Sequence, residues 1–367
     1  MTGGPVGVGI VGAGVISTQY LRNLTSFPDL DVRFVADLDE ERARERAAEF
    51  GIPAGGPVGA LLADDGVEIV VNLTVPAAHV DVALSAVAAG KHVWNEKPIA
   101  LDRKTGRELL DAARAAGVRV AAAPDTFLGP GIQTARRLLE SGAIGAPQSA
   151  LALMQSPGPE SWHPNPAFLF QDGAGPLLDI GPYYLTTLVQ LLGPVARVLA
   201  VSSQARPVRT VGTGPRAGER FEVTVPTQVS AIYELAAGTS AVAVFSFDSG
   251  LRRRQFEVTG ADGTLVVPDP NTFTGDVLLH HLDGEVDTIA AAAAPSTRGT
   301  GVLELARAVR AGRPERASGE LAFHVLDTML ATIEAAARGT PVDVASTVQV
   351  APALPEDWDP LTPTLAG

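Results

Sequence analysis

Short apolar runs alternate with charged, alanine-rich segments along the first third of the chain. Val6–Val11, Val32–Ala36 and Ile69–Leu73 are continuous apolar or β-branched runs, as strands buried on both faces are. Strands that alternate with helices at this spacing predict a parallel, doubly wound sheet. The other elements of the pattern are the predicted helices Val15–Leu24, Asp39–Phe50, Ala78–Ala89 and Lys104–Ala116 and the predicted strands His92–Trp94 and Arg119–Ala123.

The pattern changes after residue 124. A predicted helix at Pro130–Glu140 and a second one ending at Leu192 precede a stretch in which apolar and polar positions alternate, as in an antiparallel or mixed sheet. Helices at Val302–Ala311 and Glu320–Arg338 close the fold. The strands predicted for this sheet are Val195–Ala205, Thr227–Leu235, Ser240–Phe247, Phe256–Thr259, Thr264–Val267 and Val277–His281.

These elements predict an α/β chain with two domains and a tail. The first domain, in 1–124, contains the doubly wound parallel sheet. The second, in 125–345, is an α+β domain with a large open mixed or antiparallel sheet. The tail, in 346–367, has repeated prolines and few core residues, so we expect it to pack on the surface.

Two glycine patterns overlap at the end of the first strand. Gly7–Gly12 matches GxGxxG but would place the turn inside the strand, whereas Gly12–Ser17 lies between strand and helix. The second position favours dinucleotide binding, because Gly12 permits a tight turn and Gly14 lets the backbone approach a pyrophosphate. The first domain is therefore predicted to be a Rossmann domain. Its expected cofactor contacts in this turn are Gly12, Gly14, Val15 and Ile16.

Asp37 follows the second predicted strand. A carboxylate at this position accepts hydrogen bonds from the adenosine ribose and repels a 2′-phosphate, which predicts NAD rather than NADP. No arginine stands beside it, and Arg42 is a helical turn away. The alternative is an ordinary acid at a helix N-terminus, although Asp39 suits the N-cap position equally well.

Two distant motifs carry a family resemblance. Ala89–Pro98 reads AGKHVWNEKP and contains the triplet Glu96-Lys97-Pro98, while Gly173–Tyr183 reads GAGPLLDIGPY. In both motifs the chain resembles the Gfo/Idh/MocA oxidoreductases, which include glucose–fructose oxidoreductase and inositol dehydrogenase. Many family members carry His at the position of Tyr183; the glucose–fructose oxidoreductase type is similar to this chain in having Tyr.

The resemblance implies a set of catalytic residues. Oxidising a secondary alcohol requires a proton acceptor, and a group that stabilises developing negative charge on the oxygen, while hydride leaves the carbon. The resemblance implies that Lys97 contacts the reacting hydroxyl. We expect Tyr183 to donate or accept the proton and Asp179, on the same helical face, to orient the substrate or the lysine. The residues alone also allow other roles. Lys97 can be solvated or paired with Glu96, Tyr183 can serve packing or substrate positioning, and Asp179 can cap the helix.

The resemblance implies further contacts with the dinucleotide. Thr74, Pro76 and His79 resemble the strand end that lines its riboses. Glu96 and Lys97 are expected on the nicotinamide side, and an ordinary surface acid is the alternative for Glu96.

Substrate contacts are expected from two places. Asp125 stands where many relatives carry Asn-x-Arg, so no arginine is available there to hold an acidic substrate. Trp162 and His163 resemble a substrate loop, because an aromatic face suits a sugar ring and polar groups suit its hydroxyls. A proline-rich surface loop is the alternative for this segment.

Composition narrows the function classes. The formal net charge of −13 argues against a nucleic-acid surface, and the chain contains no cysteine for disulfides, thiolate catalysis or thiolate metal sites. No apolar run reaches the ~20 residues of a membrane span. We expect a cytoplasmic protein without a metal centre.

The expected function is the NAD-dependent interconversion of a secondary hydroxyl and a ketone on a sugar, glycoside or cyclic polyol. The alternatives are a catalytically silent NAD-bound sugar sensor, or a dihydrodiol or imine-type reductase on the same fold. The resemblance also implies a homodimer or homotetramer that assembles through the open sheet face.

Overall fold

The apolar runs of the first third form a parallel sheet in the computed structural model, which describes residues 3–291, 294 and 296–365. The strand order is β3-β2-β1-β4-β5-β6, and every neighbouring pair is parallel. This confirms the predicted doubly wound sheet. Its strands are β1 (Val6–Val11), β2 (Leu30–Ala36), β3 (Ala54–Gly56), β4 (Ile69–Asn72), β5 (His92–Asn95) and β6 (Val120–Ala122).

The central strands are buried because helices cover both faces of a parallel sheet. Every residue of β1 and β4 is buried. The chain order reverses between these two strands, and such a switch point opens a crevice at the carboxyl ends of the strands. The helices that accompany this sheet are α1 (Val15–Leu24), α2 (Glu40–Glu49), α3 (Val58–Ala63), α4 (His79–Ala88) and α5 (Arg103–Ala116).

The chain divides into two units whose boundaries differ from those expected. The first unit comprises residues within 1–130, 293–326 and 351–367, and the second comprises those within 131–292 and 327–350. The helix Thr300–Ala311 belongs to the first unit. Trp94 of β5 packs against it so closely that a Cβ atom added to Gly301 would lie 2.0 Å from the Trp94 ring. The remaining helices are α6 (Pro130–Glu140), α7 (Gly175–Leu192), α8 (Thr300–Ala311) and α9 (Gly319–Arg338).

The second unit is built on a nine-stranded sheet in the order β16-β15-β14-β13-β7-β12-β11-β8-β17. β7 and β12 are parallel and the other neighbours are antiparallel, which confirms the predicted mixed sheet. Two further strands, β9 (Val208–Thr210) and β10 (Arg220–Glu222), form a separate ribbon. The strands of the large sheet are β7 (Pro147–Gln155), β8 (Val195–Ser203), β11 (Gln228–Leu235), β12 (Ser240–Ser246), β13 (Arg253–Gly260), β14 (Gly263–Val267), β15 (Val277–His281), β16 (Val286–Ile289) and β17 (Val342–Asp343).

One side of this sheet carries exposed apolar residues. Val201, Ile232 and Val242 are 67%, 45% and 44% exposed, and they line a shallow groove of about 460 Å³. Their neighbours in sequence on β11 and β12 alternate with them and are buried, as expected for a sheet with one covered face. A second subunit on this face stays a prediction.

The tail crosses the first unit. Thr364 and Leu365 donate backbone hydrogen bonds of 2.8 and 2.9 Å to Asp29, which lies just before β2. Within the part of the chain that the structure describes, no helix is long and apolar enough to cross a membrane.

Candidate active site

A cavity of about 420 Å³ lies at the carboxyl ends of β1 and β4, at the switch point of the parallel sheet. The apolar side chains of Val15 and Leu38 are almost fully exposed at this cavity, 94% and 98% respectively, and offer apolar contact area to a ligand. Six of the ten expected cofactor contacts line it: Gly12, Gly14, Val15, Ile16, Asp37 and Thr74.

The glycine turn has the geometry that a bound pyrophosphate requires. Gly12 has φ of +106°, and a Cβ atom there would lie 2.8 Å from the carbonyl of Leu73. Gly14, at the N-cap of α1, has open space where a Cβ atom would stand. The Ser17 hydroxyl is buried and donates a 2.6 Å bond to the Gly14 carbonyl, which closes the turn. The turn therefore leaves room for phosphate groups beside the amino end of a helix.

Asp37 is held by three donors at the edge of this cavity. Its Oδ2 accepts the Ala13 N–H at 2.7 Å, while its Oδ1 accepts the Asp39 N–H at 3.0 Å and Arg42 Nη2 at 2.6 Å. Burial alone would raise the pKa of Asp37, but these hydrogen bonds and the Arg42 charge hold it below its ordinary value. The carboxylate is therefore charged and fixed in orientation at neutral pH.

Two buried amides tie the ends of β4 and β5 together. Asn72 donates through Nδ2 to Asn95 Oδ1 at 2.7 Å, and its Oδ1 accepts the Thr74 hydroxyl at 2.7 Å. Asn95 donates in turn to the carbonyls of Glu96 and Ile99. These bonds fix the turn that carries Thr74 relative to the segment that carries Lys97.

His79 lies inside this network rather than at the cavity. The side chain is 1% exposed, and its Nδ1 and Nε2 lie 2.7 and 3.0 Å from the carbonyl oxygens of Pro98 and Thr74. Both ring nitrogens are thus engaged by backbone, which does not support the expected ribose contact. Pro76 is exposed in a 3-10 turn before α4 and is also absent from the cavity lining.

Lys97 lies on a segment that is supported by a partly buried acid, Glu96. Glu96 accepts the Lys97 N–H through Oε2 at 2.9 Å and the Tyr20 hydroxyl through Oε1 at 2.9 Å. The Tyr20 oxygen accepts the Trp94 indole N–H at 3.1 Å. Burial, followed by the negative charge of Glu96, raises the pKa of Tyr20, so the phenol remains a neutral donor to this carboxylate. Glu96 is thus a support for Lys97, and neither residue lines the cavity.

Asp125, expected to contact the substrate, lies in the interior of the first unit. Its side chain is fully buried, and Oδ2 accepts the N–H groups of Gly299 and Gly301 at 2.8 and 3.1 Å, at the start of α8. Burial raises the pKa of Asp125, while the charge of Arg298 and these two bonds oppose the rise. These bonds tie Asp125 to the start of α8, and its contact with a substrate stays a prediction.

Asp179 and Tyr183 lie one turn apart on α7, in the second unit. Tyr183 is 6% exposed and Asp179 is half-buried. The neighbouring Tyr184 serves packing: it is 1% exposed, its ring contacts Phe245 edge-on, and its hydroxyl donates to Asp269 at 3.1 Å. Lys97 belongs to the first unit, so its meeting with Tyr183 at one substrate stays a prediction.

The loop before α7 exposes an aromatic cluster. Trp162 is 63% exposed, and its ring meets that of His163 edge-on with centroids 5.5 Å apart. Phe168, 53% exposed, meets the other side of His163 at 5.4 Å. Three rings therefore form one exposed aromatic surface in the second unit.

Three side chains were not selected by the sequence analysis. Arg42 stands on the first turn of α2, and only the turn from Asp37 through the N-cap Asp39 brings it onto the carboxylate. Nothing in the sequence around Tyr20 indicated its role, because its hydrogen-bond partner Glu96 lies on a different element. Phe168 could have been identified from its spacing to the Trp162-His163 pair in a proline-rich loop. Among the described residues, no three His, Cys, Asp or Glu side chains are grouped as metal ligands.

Comparison with known proteins places these features in context. Residues 6–123 match a family model described as an oxidoreductase family with an NAD-binding Rossmann fold, and residues 132–266 match the GFO/IDH/MocA C-terminal domain. The chain is 34% identical to trans-1,2-dihydrobenzene-1,2-diol dehydrogenase of Mus musculus, over 50% of this chain and 56% of that protein. It is 27% identical to D-xylose 1-dehydrogenase (NADP(+)) 2 of Haloferax volcanii, over 92% of this chain and 99% of that protein.

A solved structure gives the same architecture over nearly the whole chain. Levoglucosan dehydrogenase in complex with NADH and L-sorbose superposes with a TM-score of 0.81 at 21% identity, covering 94% of this chain and 100% of that one. At this identity the likeness concerns the fold alone.

Proposed function

The chain belongs to the Gfo/Idh/MocA oxidoreductase family, and from that premise we propose that it interconverts a secondary hydroxyl and a ketone on a sugar, glycoside or cyclic polyol, with NAD as its cofactor. The observation that carries this proposal is the cavity at the switch point of the parallel sheet. It combines a glycine turn that is open toward phosphate groups with a fixed, charged Asp37 at its edge.

Each part of this lining suits one part of a dinucleotide. The space beside Gly14 suits the pyrophosphate, and Asp37 suits the adenosine ribose, as argued from the sequence. The exposed apolar side chains of Val15 and Leu38 suit contact with an adenine ring. The nicotinamide, when bound, accepts or returns the hydride.

Lys97 and Tyr183 are proposed to serve the same reacting hydroxyl. Lys97 supplies a positive charge that stabilises the oxygen as it loses its proton, and Tyr183 takes or returns that proton. Asp179, one helical turn before Tyr183, orients the substrate or the lysine. Glu96 accepts hydrogen bonds from the Tyr20 hydroxyl and the Lys97 N–H, and these bonds support the assignment, because a catalytic cation requires a fixed backbone.

The aromatic surface of Trp162, His163 and Phe168 is proposed to contact the substrate. An exposed indole face packs well against the C–H groups of a sugar ring, and the His163 ring adds a polar group for hydroxyls. Two relatives support a sugar substrate, since one is named for D-xylose and the solved one for levoglucosan.

A dihydrodiol is the second candidate substrate. The relative from Mus musculus, named for trans-1,2-dihydrobenzene-1,2-diol, supports it at 34% identity, although the match covers half of this chain. The same aromatic surface suits a planar diol. A catalytically silent NAD-bound sensor is the third candidate, and no observation on the described residues favours it.

A substrate panel tests the proposal. Sugars, glycosides, cyclic polyols and a trans-dihydrodiol are each incubated with NAD, and the absorbance of the reduced nicotinamide is followed. We expect turnover with at least one sugar or polyol. Turnover on the dihydrodiol alone would replace the proposed substrate class, and cofactor binding without any turnover would favour the sensor.

The substitution Lys97→Ala tests the proposed role of this lysine in the reaction. We expect turnover to fall by ~10²-fold or more, as the loss of a positioned electrostatic group costs, while NADH binding measured by fluorescence is kept. Lys104→Ala is the control, because Lys104 is 84% exposed on α5 and lies 3.8 Å from Glu108. Equal turnover of the two variants would remove Lys97 from the mechanism.

A further inference from the structure

The aromatic surface stands on a loop outside the sheets of the second unit. The described residues 157–172 form two 3-10 turns, Pro159–Ser161 and Ala167–Phe170, and no strand. A segment of this kind lacks a ladder of backbone hydrogen bonds, so its position depends on what packs against it. The contacts of this loop therefore decide where the exposed rings of Trp162 and Phe168 meet a ligand.

The ribbon of β9 and β10 packs against this loop. Gly212, between the two strands, donates its N–H to the Glu160 carbonyl at 2.8 Å, and a Cβ atom there would lie 2.8 Å from the same oxygen. A Cβ atom on Gly214 would lie 2.7 Å from the Pro164 side chain. Both glycines therefore allow an approach that a side chain would prevent, and they contact the loop before and after Trp162 in sequence.

A buried arginine joins the base of the ribbon to the loop and to the large sheet. The Arg209 side chain, on β9, is 1% exposed. Its Nη1 donates to the Glu160 carboxylate and, at 3.2 Å, to the Pro157 carbonyl. Its Nη2 donates to the Asp248 carboxylate and, at 3.0 Å, to the Phe247 carbonyl, directly after β12. One planar guanidinium thus connects the loop to the end of a central strand.

The far end of the loop is attached to the same ribbon. Thr224, just after β10, donates its N–H to the Phe170 carbonyl at 3.0 Å. The Phe170 ring contacts Phe221 of β10 and Phe247, with centroids 5.4 and 5.5 Å away, and the Arg209 guanidinium lies 4.8 Å from it. Ring pairs and a cation over a ring stabilise beyond the burial of apolar area. The ribbon therefore holds both ends of the loop.

The ion pairs of this cluster are enclosed. The side chains of Glu160 and Asp248 are only 14% and 15% exposed. Without Arg209, two carboxylates would stand almost buried with no counter-charge from it, which is strongly unfavourable. Salt in the solvent screens such enclosed pairs weakly. The cluster therefore suits a permanent support of the loop rather than a part that opens and closes.

We propose that the ribbon is a substrate-positioning element and that Arg209 is a positioning residue, which together hold the aromatic surface where it contacts the substrate. Arg209 acts through the loop, because its own side chain is enclosed. The ribbon thus sets the affinity for the substrate, whereas the glycine turn that suits the cofactor belongs to the first unit. The inference rests on the proposed function, namely on a substrate contact by the aromatic surface.

Gly212→Ala tests the ribbon. The added Cβ atom would push the ribbon away from the Glu160 carbonyl without removing any charge. We expect the Michaelis constant KM to rise about tenfold or more, with a smaller change in kcat, because a misplaced contact surface weakens binding. The probe is the sugar or polyol that the substrate panel turns over fastest. Gly250→Ala is the matched control, since a Cβ atom there meets open space in the same unit, and both constants should stay unchanged.

Arg209→Lys tests the arginine. It keeps the positive charge between the two acids, so the second unit stays folded, but one ammonium nitrogen cannot serve partners on both sides of a guanidinium. Hydrogen exchange of the amides in 158–170 should rise, and KM should rise as in Gly212→Ala. Arg197→Lys is the control, because Arg197 pairs with Asp343 at 2.7 Å in the same unit but is 49% exposed.

A double variant separates positioning from plain stability. If the ribbon acts through the aromatic surface, Gly212→Ala should raise KM no further in a Trp162→Ala background. A lower melting temperature of Gly212→Ala with an unchanged KM, or an equal rise of KM with and without Trp162, would overturn the inference and leave the proposed function standing. A wild type that turns over no member of the panel would refute the proposed function and this inference with it.

Discussion

At the scale of single residues, α7 presents two adjacent tyrosines in different surroundings. Tyr184 is enclosed, with its ring against Phe245 and its hydroxyl on Asp269, and burial raises its pKa. Tyr183 points to a different side of the helix and shares its face with Asp179, one turn earlier. The pair therefore offers a test in which one hydroxyl is removed at a time from the same helix.

Tyr183→Phe should lower turnover by ~10²-fold or more, because a general acid or base contributes about that much. The pH–rate profile of the remaining activity should lose the limb that reports this proton. Tyr184→Phe should instead lower the free energy of unfolding by about 1 kcal/mol, the usual worth of one hydrogen bond, and leave turnover close to that of the wild type. An unchanged pH–rate profile in Tyr183→Phe would assign the proton transfer to another group.

Some residues could be placed from the sequence and others could not. Gly12, Gly14 and Asp37 were identified because a strand, a turn and a helix surround them in sequence, and these neighbours decide their geometry. Asp125 was expected at a substrate, and its burial was not expected. Its partners Gly299 and Gly301 lie far along the chain, and no local pattern reveals such a distant contact.

At the scale of elements, His79 joins two of them. It stands at the first position of α4, and its ring lies between the carbonyls of Thr74, after β4, and Pro98, after β5. Thr74 lines the cofactor cavity and Pro98 follows Lys97 directly. The ring therefore positions the segment of the proposed catalytic lysine against a segment that lines the cavity at the switch point.

His79→Ala should lower turnover between about tenfold and 10²-fold, because small displacements of a catalytic group have effects of that size. The Michaelis constant for NAD should change less, since the glycine turn is untouched. The double variant with Lys97→Ala should be no slower than Lys97→Ala alone, because both changes act through the same lysine. Ser85→Ala, at an exposed position of α4, is the control. Independent, multiplying effects in the double variant would show that His79 has only a structural role.

The central strand β7 shows how an element escapes prediction. Its residues, PQSALALMQ, include alanine, leucine, methionine and glutamine, all of which favour helices. It is nevertheless a strand, with β12 parallel on one side and β13 antiparallel on the other. Ala150, Ala152 and Met154 alternate toward the buried face, so packing between two neighbours overrides local preference.

At the scale of the whole chain, a buried ion pair connects the tail to the rest of the first unit. Asp29 and Arg307 have side chains only 2% and 7% exposed and lie 2.8 Å apart. Asp29 also accepts the backbone N–H groups of Thr364 and Leu365, and Arg307 donates to the carbonyls of Asp359 and Thr362. The tail thus contributes to the folded unit through its backbone as well as its side chains.

Asp29→Asn should weaken the first unit by on the order of 3 kcal/mol or more, because it leaves a buried guanidinium without its counter-charge. Hydrogen exchange of the amides in 352–365 should rise sharply. Asp31→Asn is the control: Asp31 pairs with Arg33 at 2.8 Å but is 52% exposed, and its loss should change little. Equal exchange in the two variants would show that the tail is held by other contacts.

The same carboxylate predicts a pH dependence. Burial would raise the pKa of Asp29, but the bonds from Leu365, Arg307 and Thr364 hold it below the ordinary value. A group with a lowered folded pKa stabilises fully above its unfolded pKa, about 3.9, and loses this contribution as the pH falls through the folded value. The tail should therefore stay docked at neutral pH and loosen only below about pH 4.

The division into units could be predicted only in part. The change from alternating strands and helices to consecutive strands marks the end of the parallel sheet correctly. Residues within 293–326 and 351–367 return to the first unit through long-range contacts, such as the Trp94 ring against Gly301 and Asp29 against the tail. Contacts of this kind join residues that are hundreds of positions apart and leave no periodic signal.

The chain's three tryptophans stand in three of the regions described above. Trp94 is buried with its indole on Tyr20, beside the Lys97 segment; Trp162 is exposed on the aromatic surface; and Trp358 lies 5.0 Å from Arg307 in the tail. In a variant that keeps only one of the three tryptophans, the tryptophan fluorescence would come from one of these regions alone. The wavelength of the emission maximum and the extent of iodide quenching would then report separately on the lysine segment, the aromatic loop and the docking of the tail.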